Sequence, residues 1–303
     1  MLGEFGALFR ERSWAPITKP LAALIASLLI GGCAAQLSNQ RVRSQRLYLN
    51  SYVVQAVQHL AQDYQGLGYG SQAFTHDLRF GDSGTLAATG KPLTMCVAAQ
   101  LEVFVEALNL YADETQDFQA FHFIPKTSWE RLRPGDLRGQ IWVVADATSH
   151  GISDALQNYG MGEKKPFARL KPGDFVNFNR DNGSGHGVVF LGYLDRTGNE
   201  LATYGPEVAG FKYFSSQGHL VGGGLGYRYA FFKPYCPVLA DARKRDCGVI
   251  RSESQRLLNT GSAWLPSTWD RETADAFRRS VTSRSFVEGE FDANYFTGVT
   301  TDD

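Results

Sequence analysis

The chain is short of cysteine, of net charge and of long apolar runs. Only four cysteines occur in 303 residues, and none is spaced as C-x-x-C. With no H-x-x-x-H pair near the candidate residues either, a local zinc motif is excluded and no cofactor is expected. Thirty basic residues balance thirty-one acidic ones, for a net charge of −1. With no basic run, nothing recommends a nucleic-acid partner. The apolar run LAALIASLLIGG, residues 21–32, is too short to cross a bilayer comfortably. No internal repeat or low-complexity segment argues for a solenoid or a disordered chain. What remains is an ordinary globular composition, long enough for a sizeable core. Thirteen Tyr, twenty Phe and thirty-two Gly lean towards β-structure with many turns.

The short apolar run makes sense as a signal-peptide core, since Arg10, Arg12 and Lys19 precede it. It ends in Ile30-Gly31-Gly32-Cys33, which resembles the lipobox of bacterial lipoproteins. An uncleaved anchor is the alternative. The resemblance implies that residues 1–32 are a signal peptide and that Cys33 is lipidated, tying the chain to a membrane. Ala34, rather than Asp, then points to the outer membrane, with the body facing the periplasm. Export also bears on Cys236 and Cys247, eleven residues apart: disulfides persist in that compartment. A bridge there is worth about 2–4 kcal/mol. Cys96 is then assigned to neither anchor nor bridge.

The stretch KPLTMCVAAQLEVF, residues 91–104, places that cysteine at the start of a helix. Val97, Leu101, Phe104, Val105 and Leu108 recur at helical spacing, and Pro92 and Thr94 precede the run. The positive end of a helix favours thiolate over thiol. The plainer reading is a small buried hydrophobe. An earlier helix is expected within LYLNSYVVQAVQHLAQDY, after a polar linker. Residues 67–90 read as loop, 140–145 as a buried strand, and HGISDALQNYG as a short helix ended by Gly160. The runs GDFVNFNR, GHGVVFLGYLD, GFKYFSSQ and GYRYAFF read as antiparallel strands. A helix is expected around 269–281. A helix followed by a meander predicts an α+β fold with the helix packed on the sheet.

A cysteine nucleophile needs a base, usually histidine, and a polar group to orient it. Of six histidines, His59, His76, His122, His150 and His219 lack a suitable setting. His186 opens a predicted strand and is expected to face the helix start; a surface histidine at a hairpin tip is the other reading.

LKPGDFVNFNRDNGSGHGVVFLGYLD resembles the core of NlpC/P60-type and CHAP-like cysteine peptidases and amidases, which are papain-like. The resemblance spans roughly residues 85–232. It implies a papain-like core with an N-terminal nucleophile helix on an antiparallel sheet. Cys96 would be the nucleophile, His186 the base, and 172–174 the turn into the preceding strand. The orienting residue would be Gln217, or Ser216 beside it. Two departures stand out: Met95-Cys96-Val97 replaces the usual Asp-Cys-Ser, and the third residue follows only from strand order. The organisation expected is a signal peptide over 1–32 and a linker with the first helix over 33–66. A hydrolase domain over 67–235 and a C-terminal extension over 236–303 covering a sheet edge complete it.

The implied chemistry is amide hydrolysis by acyl transfer, and location supplies the substrate: peptidoglycan stem peptides. An inactive scaffold with the same fold, or an acyltransferase on another exported substrate, are the alternatives. A protein partner is not legible.

Overall fold

The structure, a computed structural model, describes residues 48–70, 74–142, 149–218, 221–239 and 244–282. Cys33, the leader before it and His219 lie outside the described residues. The first two helices are α1 (Asn50–Asp63) and α2 (Cys96–Thr115), joined by a connection holding the two-residue strands β1 (Leu78–Arg79) and β2 (Thr85–Leu86). Three shorter helices follow: α3 (Thr127–Glu130), α4 (Leu137–Ile141) and α5 (Ile152–Asn158). A last helix, α6 (Arg271–Thr282), comes after all the strands.

The main sheet contains β3 (Gly162–Lys164), β4 (Phe175–Asn179), β5 (Gly185–Leu194), β7 (Gly210–Gln217) and β8 (Gly224–Phe232), completed by β9 (Arg245–Val249) and β10 (Leu258–Ala263). Their order is β3-β10-β4-β5-β7-β8-β9, with the short β6 (Glu200–Leu201) paired to β5. Every neighbouring pair is antiparallel except β8–β9, which is parallel. The sheet curls until β9 meets the end of β4, where Ile250 N–H donates to Asn179 O (2.9 Å) and Asp181 N–H to Gly248 O (2.9 Å). The fold is therefore α+β with a mostly antiparallel sheet, as the order of patterns predicts.

Curling gives the sheet a helix face and an inner face, each with its own apolar layer. On the helix face Leu101, Phe104, Val105 and Leu108 of α2 pack against Phe175, Val189 and Phe214. Phe104 meets Phe175 edge-on at 6.1 Å and lies over Trp129 at 5.8 Å. The inner face holds Val176, Phe178, Val188, Phe190, Phe211 and Tyr213. Burying each such side chain is worth about 1.5–3 kcal/mol. Two buried polar residues of α2 find partners within this packing, as most buried groups do. Asn109 accepts from Gly81 N–H and donates to Arg79 O, and Glu102 accepts from the N–H and hydroxyl of Thr75.

The turn at 172–174 needs its glycine. Gly173 has φ +91, and a Cβ there would stand 2.6 Å from Asn50 O. The next residue, Asp174, is buried and accepts from Asn50 Nδ2, Lys171 N–H and Ser262 Oγ. Burial raises its pKa, against the opposing pull of Lys165.

Two expectations are corrected. Gln140 and Ile141 belong to α4, with Gln140 N–H on Asp136 O (3.0 Å), rather than to a strand; residues 143–148 lie outside the described ones. Residues 236–303 are also more than an extension over an edge. They supply β9 at the end of the sheet and β10 inside it, between β3 and β4.

Candidate active site

Cys96 is the first residue of α2. Met95 before it is extended (φ −116, ψ 171), and no side chain caps the helix. The first turn therefore points its N–H groups outward without intrahelical carbonyls. The thiol is buried, 4% exposed, and is not disulfide-bonded. Two residues earlier, Thr94 is wholly buried; its carbonyl accepts from Ser216 Oγ (2.7 Å) and Gly70 N–H (3.4 Å). The Thr94 hydroxyl is buried with no hydrogen-bond partner.

One turn on, Gln100 fixes the helix to the sheet. Its Nε2 donates to Val176 O (3.1 Å), Val188 O (3.1 Å) and Asn177 Oδ1 (3.2 Å). This close approach explains Gly187: a Cβ there would lie 2.6 Å from Gln100 Oε1. Gly187 therefore faces α2.

His186 consequently faces the other way, because successive side chains on a strand alternate. It sits directly opposite Phe178 of β4. Its ring meets Phe178 at 5.6 Å and Tyr213 at 5.7 Å, both members of the inner layer. Cys96 belongs to the helix-face cluster. His186 thus turns its ring to the inner layer while Cys96 belongs to the helix-face cluster, which departs from the expectation that His186 faces the helix start. The same alternation divides β7. Ser216 lies with Cys96, through its bond to Thr94 O, and Gln217 lies with His186.

Around Gln217 is a network that local sequence reasoning missed. Asp246 of β9, 4% exposed, accepts from Gln217 Nε2 (2.7 Å), Arg180 Nη2 (3.1 Å) and the Tyr213 hydroxyl. The Tyr213 oxygen also lies 2.6 Å from Gln217 Oε1, the alternative acceptor for its single hydrogen, and Arg180 donates to Ser184 Oγ (2.9 Å). Burial pushes the Asp246 carboxyl up, but the charges of Arg180 and His186 and its hydrogen bonds bring it below the usual carboxylate value. Burial, reinforced by Asp246, raises the Tyr213 phenol well above its ordinary value. Nothing beside Asp246 in RDCGV marks it as buried; only the pairing of β8 with β9 places it there.

Cys236 and Cys247 form the expected disulfide, with Cα atoms 5.4 Å apart, and it borders an open cleft beside Arg180 and Asp246. The other described histidines have local partners: His59 with Glu106, His76 with Thr75 and Glu102, and His122 with Asp82. His150 donates its backbone N–H to Asp154. Among the described residues no cluster of three metal-ligating side chains converges. Comparison with known proteins gives no match: no family model, no curated protein and no solved structure.

Proposed function

We propose that the protein is a membrane-anchored cysteine hydrolase of the cell envelope, cleaving amide bonds in peptidoglycan stem peptides from a Cys96 nucleophile. One observation carries the reading: a buried, reduced cysteine opens an uncapped twenty-residue helix, with the unpartnered Thr94 hydroxyl beside it. Helix starts favour the thiolate and can hold a developing oxyanion on their N–H groups. In this reading the thiolate attacks the amide carbonyl, the C–N bond breaks as the amine leaves with a proton, and water then hydrolyses the thioester. Lipidation at Cys33 and an outer-membrane, periplasm-facing address belong to the same reading and supply the substrate class.

A second reading is favoured by the packing of His186 between the inner-layer rings of Phe178 and Tyr213. It takes the protein as a non-catalytic scaffold of the envelope whose surface binds wall peptides or a partner. One experiment separates the two. The fragment starting after Cys33, with and without Cys96→Ala, is incubated with purified peptidoglycan and released muropeptides are weighed. Fragments from the wild type alone establish the hydrolase, and their masses name the bond. No fragments from either, with Cys96 inert to iodoacetamide in the folded protein, return the scaffold.

A further inference from the structure

Strand β8 has a gap in its outer edge. At one end, Gly223 O accepts from Gly68 N–H (2.9 Å) and Leu225 O from Gly66 N–H (3.1 Å). At the other, Tyr229 N–H donates to Lys244 O (3.1 Å), where β9 begins its parallel run. These outward-bonding residues alternate along the strand, so the backbone N–H and C=O of Tyr227, between them, point the same way. Among the described residues no backbone group pairs with them on that side. Sheet edges are usually paired, covered or blunted; among the described residues this one is unpaired at a single hydrogen-bonding position.

A groove of about 320 Å³ lies at the gap. Its lining includes Gln65, Gly66, Gly226, Tyr227, Arg228 and Lys244. Two of these are cations, of which Arg228 also donates to Gln217 O (3.3 Å), and among the described residues no carboxylate lines it. A Cβ on Gly226 would meet nothing within 4 Å, so the floor is open to an approaching backbone. Tyr227 is 38% exposed with its ring braced on Phe214 at 5.4 Å. One segment links the groove to the stretch before the candidate nucleophile. The segment that closes one end through Gly66 continues to Gly70, whose N–H donates to Thr94 O, two residues before Cys96.

We propose that this edge is the docking site for an extended acidic peptide, which adds to β8 as a short strand on Tyr227 N–H and C=O and sets a carboxylate between Arg228 and Lys244. Strand addition takes affinity from main-chain bonds and specificity from the flanking side chains. Here the flanks are cationic and select an acid. The choice of a wall stem peptide as the natural occupant rests on the function proposed above; the edge and its charge do not.

The test uses protein carrying Cys96→Ala, so that turnover cannot consume the ligand, and isothermal titration with N-acetyl-Ala-Glu-Ala-Glu and its neutral Gln counterpart. The acidic peptide is expected to bind at least about tenfold more tightly, since paired charges at a partly desolvated site are worth a factor of that order. Tyr227→Ala removes the ring but keeps the N–H, and should hold affinity within about threefold. Tyr227→Pro removes the outward N–H, a change tolerated at an edge, and should lose tenfold or more. Lys244→Glu should abolish the preference for acid. Equal binding by the proline and alanine variants, no effect of Lys244→Glu, or no binding of either peptide at millimolar concentration overturns the proposal. Should Tyr227→Pro fail to fold by circular dichroism, Lys244→Glu decides alone. Muropeptide release by the wild type with peptide binding insensitive to these changes sinks the docking edge and leaves the hydrolase. Binding at the edge without release does the reverse.

Discussion

Replacing Asp246 by asparagine tests whether the inner-face network holds the curled sheet together. The substitution conserves shape but removes the charge facing Arg180, whose side chain is as buried as its partner's. Asparagine presents one acceptor oxygen where the carboxylate now serves Gln217, Arg180 and Tyr213 as donors. Stripping one member from a buried ion pair costs about 3–5 kcal/mol, because the other charge stays desolvated. With a urea slope near 3 kcal/mol/M, towards the upper end for a domain, the midpoint should fall by about 1–1.7 M. The pH dependence has a definite sign. Asp246 has a lowered pKa when folded, so its contribution is complete above the ordinary carboxylate pKa of about 3.9 and is lost as pH falls through the lower folded value. The gap between wild type and Asp246→Asn should therefore be constant from about pH 5 upward and close in acid. A midpoint change worth less than about 1 kcal/mol at pH 7, or a gap that widens in acid, refutes the argument.

Gly187→Ala drives a methyl towards Gln100 Oε1, 2.6 Å away; overpacking of this kind costs about 1–3 kcal/mol. Thermal unfolding should show the loss in the single variant and a smaller one when Gln100→Ala is added, whereas additive losses would deny the close approach. Replacing Cys236 and Cys247 together by serine should cost about 2–4 kcal/mol, since the bridge closes a loop of separation 11. Denaturant titration under oxidising conditions reads it, and an unchanged midpoint would mean the segment is held without the bridge.

How legible was this in the sequence? The helix opening at Cys96 and the strands now seen as β4, β5, β7 and β8 follow from apolar spacing and turn residues. β10 was illegible because LNTGSA has almost no apolar payload; Thr260, Ser262 and Asn259 are buried there only because the sheet surrounds them. Gln140 and Ile141 looked like a strand because a short apolar run has no period long enough to separate strand from helix. The face of His186 is the instructive failure. Val188 and Phe190 bury on one side of β5 and Val189 on the other. With both faces apolar, alternation says which residues share a side but not which side meets the helix. Gln100 and Gly187 decide it, and they are 87 positions apart.

The position of β10 also orders events in time. A ribosome delivers β3, β4 and β5 well before residues 258–263 exist, so until then β3 has no neighbour in the sheet and one side of β4 is an open apolar strand. That interval is when a growing chain is most exposed to wrong pairing. A stop codon anywhere before the last strand would leave the interval permanent. Shortened products should therefore be cleared or aggregate rather than persist as a smaller working domain, even those long enough to contain both Cys96 and His186.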